Sequence, residues 1–409
     1  MYHYMVTSIR RQKSRSSLVI AVNCVLAILL NLYFGLLGSY RTQLTDLAAN
    51  TPIKCTVTNP DGTMDVGIAV SSETLRGLQE AEQIRDLDCA AQMKAGFGEF
   101  ALEDWEAHLR LVVCAVNKSD SSILPEEMEI HYLEEWDETV FAGDELVCVL
   151  GKSDMEEQGY VCGDEITLTV YYFSYDDREE LWLKELRPVS MQIVGEIDDS
   201  DPSAAVEYPD VLLPFQAAWN LVEENQADFT ADAVSFYVKD PLALNAFKEE
   251  MGQIGDYGLF EVYKGDGARF SHKGTALYVL DGIFITMADR LKTAIRILTA
   301  FLLPIGILVF IVGYVISHLL ASSRVKEFAL FRSLGVHVAG AVWVFWGEQL
   351  ALAFLGNLAG CLAALLVGHR GLKEAAIACG VSLCGYMLGT TVALALLAGE
   401  KPLALLTSE

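Results

Sequence analysis

Four long stretches of the chain are apolar and almost free of charge, and the segment between the first two is polar. A hydrocarbon core about 30 Å thick is crossed by roughly 20 helical residues. Leu18–Leu37 meets that length, with Asn23 and Asn31 as its strongly polar members. Ile297–Ile316 meets it with Pro304 in its middle, which predicts a kink. Val338–Val367 exceeds it and holds a single charge, Glu348, and Ala375–Ala398 is the fourth stretch. The pattern predicts a membrane protein with four transmembrane α-helices. The first stretch also admits a reading as a cleaved signal peptide, because basic residues precede it. Against that reading, its apolar run is longer than a signal core and no small-x-small cleavage site follows.

Between spans one and two the periodicity changes. Asn59-Pro60-Asp61-Gly62 is a turn signal between two strand-like runs, Lys54–Thr58 and Met64–Val70. Leu75, Leu78, Ala81 and Ile84 recur at helical spacing, as do Phe215, Trp219 and Val222, and Leu244, Phe247 and Met251. Leu109–Val116 reads as a buried strand, and Ile166–Val170 alternates apolar residues with Thr, the period of a half-buried strand. Strands and helices intermix without strict alternation, which predicts a large α+β domain inserted between spans one and two. A second lobe with a seam near residues 120–130 is compatible with the same pattern.

Charge divides the chain along the same lines. Residues 41–290 hold 50 acidic and 17 basic side chains, a net of −33, whereas the rest hold 5 acidic and 12 basic, a net of +7. Nucleic acid is excluded as a partner of the acidic block, since phosphates would be repelled. The basic residues gather beside the spans, where anionic lipid attracts them. Arg10, Arg11, Lys13 and Arg15 precede span one, and Arg324, Lys326 and Arg332 follow span two. The excess of Lys and Arg marks the cytoplasmic side, so both termini are expected inside and the acidic domain outside. Arg370 and Lys373, in the short outer loop, are a small exception. The expected order is a cytoplasmic segment, 1–17; span one, 18–40; the acidic extracytoplasmic domain, 41–290; span two, 291–320; a cytoplasmic segment, 321–337; span three, 338–368; an outer loop, 369–374; span four, 375–398; and a cytoplasmic tail, 399–409. Tyr2, Met5 and Ile9 recur beside the first basic cluster, as in an amphipathic helix lying on the inner surface; a disordered start fits equally well.

The search for chemistry finds little. No GxxxxGK[ST] loop is present to hold nucleotide phosphates, and Lys264-Gly265-Asp266-Gly267 is only a glycine turn. HExxH and GxSxG are absent. Cys55, Cys89, Cys114, Cys148 and Cys162 lie in the acidic domain, an odd number with no CxxC spacing, so a zinc site is not expected and at least one thiol is unpaired. Cys24, Cys361, Cys379 and Cys384 sit in spans as small apolar packers. Asp198-Asp199-Ser200-Asp201 has the carboxylates for a calcium ion but lacks the Gly and distal Glu of a calcium loop, so a solvated loop is the expectation. Trp105 and Trp136 lie among acidic residues, and partial burial of each ring is expected rather than a recognition surface. Glu348, about two turns into an over-long helix, is costly inside a span unless it faces protein or a water path or lies at the cytoplasmic interface; a structural or coupling role is expected, with a proton or substrate path as the alternative. Gly356-x-x-x-Gly360 and Gly385-x-x-x-Gly389 let helices approach closely, within the chain or between two copies.

The segment after span two is the most specific. Ser323-Arg324-Val325-Lys326-Glu327-Phe328-Ala329-Leu330-Phe331-Arg332-Ser333-Leu334-Gly335 resembles the pattern of FtsX-like/MacB-like ABC transporter permeases: a basic residue and Glu, a short apolar run, then Arg, a small residue, an apolar residue and Gly. Glu348 stands where that family often places a Glu, and the tail Lys401–Leu406 resembles its Pro-xxx-Leu ending. Gly159–Leu168, Met191–Ile197 and Ala233–Phe247 are similar to the family's ectodomain passages, and the order of one span, a large domain and three spans matches.

The resemblance implies a non-catalytic permease subunit with no cofactor of its own, ATP and Mg being bound by a separate ATPase subunit in trans, and with a second permease subunit as partner in the bilayer. It implies ATPase coupling by Arg324, Glu327, Phe328, Phe331, Arg332 and Gly335, with Glu348 as a possible intramembrane functional residue. Unlike MacB itself, this sequence carries no nucleotide-binding domain. Members of the family export or extract peptides, antibiotics or lipid-linked cargo, or activate cell-wall hydrolases without transport. A receptor-like binding module is the remaining class, and it has no need of the Arg-Glu-Arg segment.

Overall fold

The fold is described from a computed structural model, which places residues 13–100, 108–175, 181–199, 208–254, 261–264, 275–367 and 372–399. It divides into two compact units, residues 48–286 and residues 1–47 with 287–409. Four of its helices are long and apolar enough to cross a membrane: α1 (Lys13–Asn50), a helix at Gly282–Ser322, one at Val338–Val367 and one at Leu372–Gly399. The amphipathic start at Tyr2–Ile9, Trp105, the glycine turn at 265–267 and the tail at 401–406 lie outside the described residues.

The unit of residues 48–286 is built on one large sheet. Its elements in chain order are β1 (Lys54–Thr58), β2 (Val70–Ser71), α2 (Ser72–Glu80), β3 (Ile84–Phe97), β4 (Leu111–Val116), β5 (Ile130–Tyr132), β6 (Val147–Gly151), α3 (Lys152–Gln158), β7 (Glu165–Tyr175), β8 (Leu181–Glu185) and β9 (Val189–Ile197). They continue with β10 (Val211–Pro214), α4 (Phe215–Glu224), β11 (Thr230–Ala231), β12 (Ala233–Val238), α5 (Leu244–Met251), β13 (Glu261–Lys264) and β14 (Ala276–Val279). The strand order is β13-β14-β1-β12-β3-β4-β10-β6-β9-β7-β8, with β5 beside β9, and β7 also pairs back onto β3. The strands β3, β4, β10, β6, β9 and β7 therefore hydrogen-bond in a closed circuit.

The long strand β3 makes that closure possible. One edge carries β4 along Ala90–Ala95, while the other carries β12 along Ile84–Ala90 and then β7 along Lys94–Phe97. Asp232 fills the fork between β12 and β7. Its backbone N–H donates to the Ala90 carbonyl at 2.8 Å, and its carboxylate accepts the Gln92 N–H at 2.5 Å. Val116, Val149, Val194, Ile197 and Leu212 of the sheet's strands form a buried cluster with Phe141, and Trp136 is partly buried beside them.

Helices α4 and α5 lie where the apolar spacing puts them. Phe215, Trp219 and Val222 are buried on α4, and Leu244, Phe247 and Met251 on α5. Two local expectations need correction. The run Met64–Val70 is not a strand: it is turn and bend as far as the two-residue β2, held by Asn59 Oδ1, which accepts the N–H groups of Thr63 and Met64. The helix read through Ile84 stops at Glu80, with Ala81 already extended, and Ile84 begins β3. Period-three spacing simply carries on across the helix end.

In the other unit the helices after the sheet are α6 (Gly282–Ser322), α7 (Val325–Ser333), α8 (Val338–Val367) and α9 (Leu372–Gly399). α6 runs through Pro304 without a break in its assignment. Both GxxxG pairs are used within the chain. A Cβ at Gly356 or Gly360 would meet the carbonyl oxygens of Ile20 and Cys24 on α1 at 2.6 and 2.5 Å, and one at Gly389 would meet Phe310 O on α6 at 2.3 Å. Small residues let backbones approach where lipid supplies no hydrophobic drive for association.

Candidate coupling site

The segment between α6 and α8 folds as the short helix α7, and one buried side chain ties it down. Arg324 stands just ahead of α7, and its backbone N–H donates to the Ala321 carbonyl at 3.0 Å, continuing the end of α6. Its guanidinium reaches two carboxylates. Nη1 meets Glu348 Oε2 on α8 at 2.8 Å, while Nε and Nη2 meet Glu327 Oε2 at 2.8 and 2.7 Å. The Arg324 and Glu348 side chains are only 6% and 5% exposed, whereas Glu327 is 42% exposed. Burial works against the charge of Arg324, but the hydrogen bonds and charges of Glu348 and Glu327 outweigh it and hold the guanidinium above its ordinary value. The guanidinium also lies 4.6 Å from the centroid of the Phe345 ring, one turn before Glu348, a cation–π contact.

Around this pair the apolar residues close in. Phe328 is 1% exposed, with its ring centroid 6.0 Å from that of Phe345, and it packs with Ala321, Ala341, Leu394 and Leu397. Phe331 is partly buried against the same cluster. The two candidate faces of α7 are thus distinguished. Phe328 and Phe331 turn into the bundle, while Leu330 and Leu334, at 61% and 73% exposure, turn out of it. Phe328 belongs to the packing that holds the segment and is not free to enter a partner's groove. The side chain of Arg332 lies outside the described residues.

Gly335 ends α7 in the left-handed region at φ +86°, and the Val336 N–H donates to Phe331 O at 3.1 Å while the Leu334 N–H donates to Leu330 O at 3.1 Å. This six-to-one bond closes a Schellman cap, with Val336 and Phe331 both packed on the apolar cluster. The glycine in the sequence pattern is therefore a helix stop that turns the chain into α8.

The remaining candidates stand apart from this site. Asp199 accepts the Ser153 backbone N–H at 3.0 Å in the first turn of α3, and Ser200 and Asp201 lie outside the described residues. Among the described residues no group of three His, Cys, Asp or Glu side chains is placed to hold a metal. All nine cysteines are free thiols. Burial pushes Cys55, Cys114 and Cys148 up to about 12 and raises Cys89 as well. Inert packing thiols have such values, whereas nucleophiles are lowered. What the arrangement around Arg324 can do is bind α7 to α8.

Sequence reading found Arg324 and Glu348 separately and missed that they are partners. Half of a signal for the pairing was present: Glu348 is a lone carboxylate inside an apolar stretch, costly unless a cation matches it.

Residues 297–399, about a quarter of the chain, match the family model of the FtsX-like permease C-terminal region. That stretch covers most of α6 and all of α7, α8 and α9, and so every residue of the candidate site. Comparison with curated proteins gives no match. Among solved structures, the chain is similar to the extracellular domain of the noncanonical ABC-type transporter YknZ from Gram-positive bacteria, at 10% identity and a TM-score of 0.30, over 50% of this chain and 94% of that one. It is also similar to the periplasmic region of MacB from Actinobacillus actinomycetemcomitans, at 9% identity and a TM-score of 0.31, over 59% of this chain and 94% of that one.

Proposed function

We propose that this multi-pass membrane protein, whose residues 297–399 match the FtsX-like permease C-terminal region, is the permease subunit of an ABC transporter. In this reading it couples ATP hydrolysis by a separate ATPase subunit to motion of its domain at 41–290, for export or extraction of a peptide, antibiotic or lipid-linked substrate. The N- and C-termini are cytoplasmic, the acidic domain is extracytoplasmic, and a second permease subunit completes the transporter.

One observation carries the reading. The segment that would meet the ATPase is locked to α8 by a buried ion pair, so a push on α7 cannot be absorbed by a loose loop. A helix held by Arg324 and Phe328 on one face leaves Leu330 and Leu334 on the other as the apolar contact for a partner's groove. Glu327, half-exposed and already hydrogen-bonded to Arg324, links the outer face to the buried pair.

The test is recovery of the ATPase subunit from native membranes with the tagged full chain. Truncating an interface anchor typically costs about 2 kcal/mol or more. Leu330→Ser and Leu334→Ser are therefore expected to lower ATPase recovery by roughly thirtyfold or more without changing the amount of chain in the membrane. Undiminished recovery with both substitutions together would remove α7 as the coupling element.

A further inference from the structure

Each of the four long helices contributes a polar side chain to the interior of their bundle. Asn23 comes from α1, Ser317 from α6, Gln349 and Asn357 from α8, and Ser382, Tyr386 and Thr390 from α9; all are buried. Most are matched. Tyr386 Oη donates to Gln349 Oε1 at 3.1 Å and stands beside Ser317 and Asn23. Ser317 and Thr390 share a bond of 2.7 Å. Asn357 Nδ2 donates to the Ala353 carbonyl at 2.9 Å and to Asn23 Oδ1 at 3.4 Å, which fixes its amide orientation and turns Oδ1 away from both.

Two atoms are left over. Asn357 Oδ1 and Ser382 Oγ are buried and find no hydrogen-bond partner among the described residues. The register of α8 on α9 places these two residues one helical turn apart. The helices run antiparallel, with Gln349 bonded to Tyr386 at one level and Cys361 reaching Ala375 O at another. Ser382, one turn before Tyr386, therefore lies opposite Ala353, and Asn357 is the next turn of α8. Ala353, between them on α8, is small and fully buried. Within a hydrocarbon layer an unmatched polar group costs several kcal/mol, and polar sites of this kind are satisfied by ordered water with two to four partners.

We propose that the interior of the span bundle is a binding site for ordered water, held by Asn357 Oδ1 and Ser382 Oγ between α1, α8 and α9. The neighbouring Asn23 Oδ1 and Tyr386 Oη complete its polar lining.

The full-length protein in lipid nanodiscs tests this by two measurements. Radiolysis of bound water creates hydroxyl radicals in place, so side chains beside internal water are oxidised without access from bulk. Tyr386 is expected to be oxidised several-fold faster than Phe34, which lies in an apolar cluster of the same bundle, and Asn357→Leu is expected to abolish that excess. Ser382→Ala is expected to lower the thermal transition, because the water loses a partner; an unmatched hydroxyl in a dry core would instead leave the transition unchanged or raised on removal. Tyr386 oxidation no faster than that of Phe34, or a Ser382→Ala transition at or above wild type, would overturn the proposal. Should Asn357→Leu fail to assemble, the wild-type footprint and the Ser382→Ala transition still decide.

Discussion

Arg324 is the side chain whose loss should be felt most. Removing one partner of a buried pair strands the other charge, at a cost of about 3–5 kcal/mol, whereas replacing both with apolar residues is often close to neutral. Arg324→Met should therefore lower resistance to unfolding in detergent by that amount, and Arg324→Met with Glu348→Leu should recover most of it; equal losses for the single and double variants would mean that the pair is not coupled. Asp232, in the fork of β3, makes a pH-dependent prediction. Burial raises its carboxyl from 3.8 to about 6, opposed by the bond from the Gln92 N–H. A folded value above the ordinary one means that the fold favours the protonated form. Its stabilising contribution is complete below about 4 and is lost as pH rises through about 6. Amide exchange at Ala90–Gln92 should accordingly speed up relative to the intrinsic rate across that window, and Asp232→Asn should flatten the change. Neither residue's role was visible from its local pattern. Asp232 is one of 50 acidic residues between 41 and 290, and its meaning comes from β12 and β7 ending on the same edge of β3.

At the scale of elements, legibility followed length and monotony. α8 has the bounds its apolar run has, Val338–Val367, because lipid-facing and protein-facing sides are both apolar and nothing interrupts the signal. β3 was illegible: Arg85, Asp86, Asp88, Gln92 and Lys94 dilute its period, and Asp88–Ala91 are buried in succession, so no alternation marks a face there. The short helix α7 was legible as a motif, but its inward side was not, because Phe328 and Phe331 compete on equal terms with Leu330 and Leu334 until α8 and α9 are in place. Its cap makes a sharp test. At φ +86° with nothing near a built Cβ, Gly335→Ala meets only backbone strain, about 1–2 kcal/mol, and Gly335→Asn should cost less. A larger substitution at Gly389 acts through contact instead. Gly389→Leu forces α9 off the α6 backbone at Phe310, and overpacking of this kind costs typically 1–3 kcal/mol. Cysteine cross-linking between α6 and α9 should weaken in that variant and persist in Gly335→Ala.

Across the whole molecule, the charge of the sequence changes at residues 41 and 290, and the chain divides into compact units at residues 47–48 and 286–287. The orientation proposed for it is open to a direct check. Asp120 and Ser333 are exposed, so with an impermeant thiol reagent on intact cells, Asp120→Cys should be labelled and Ser333→Cys should not; the opposite result would invert the topology. What hydropathy could not reveal is that six strands close on themselves, because closure depends on pairings between residues far apart in the chain, such as Ala95 with Val170. That closed circuit also constrains the order of events at the ribosome. Its last strand to be synthesised, β10, is an interior one, inserted between β4 and β6. Until Val211–Pro214 has emerged, the strands already made can pair only in part, with β4 and β6 each presenting an edge that awaits the same missing neighbour. A nascent chain stalled before residue 211 should be more protease-sensitive through β4 and β6 than the finished domain, and full protection should arrive once β10 and the buried face of α4 have followed it out.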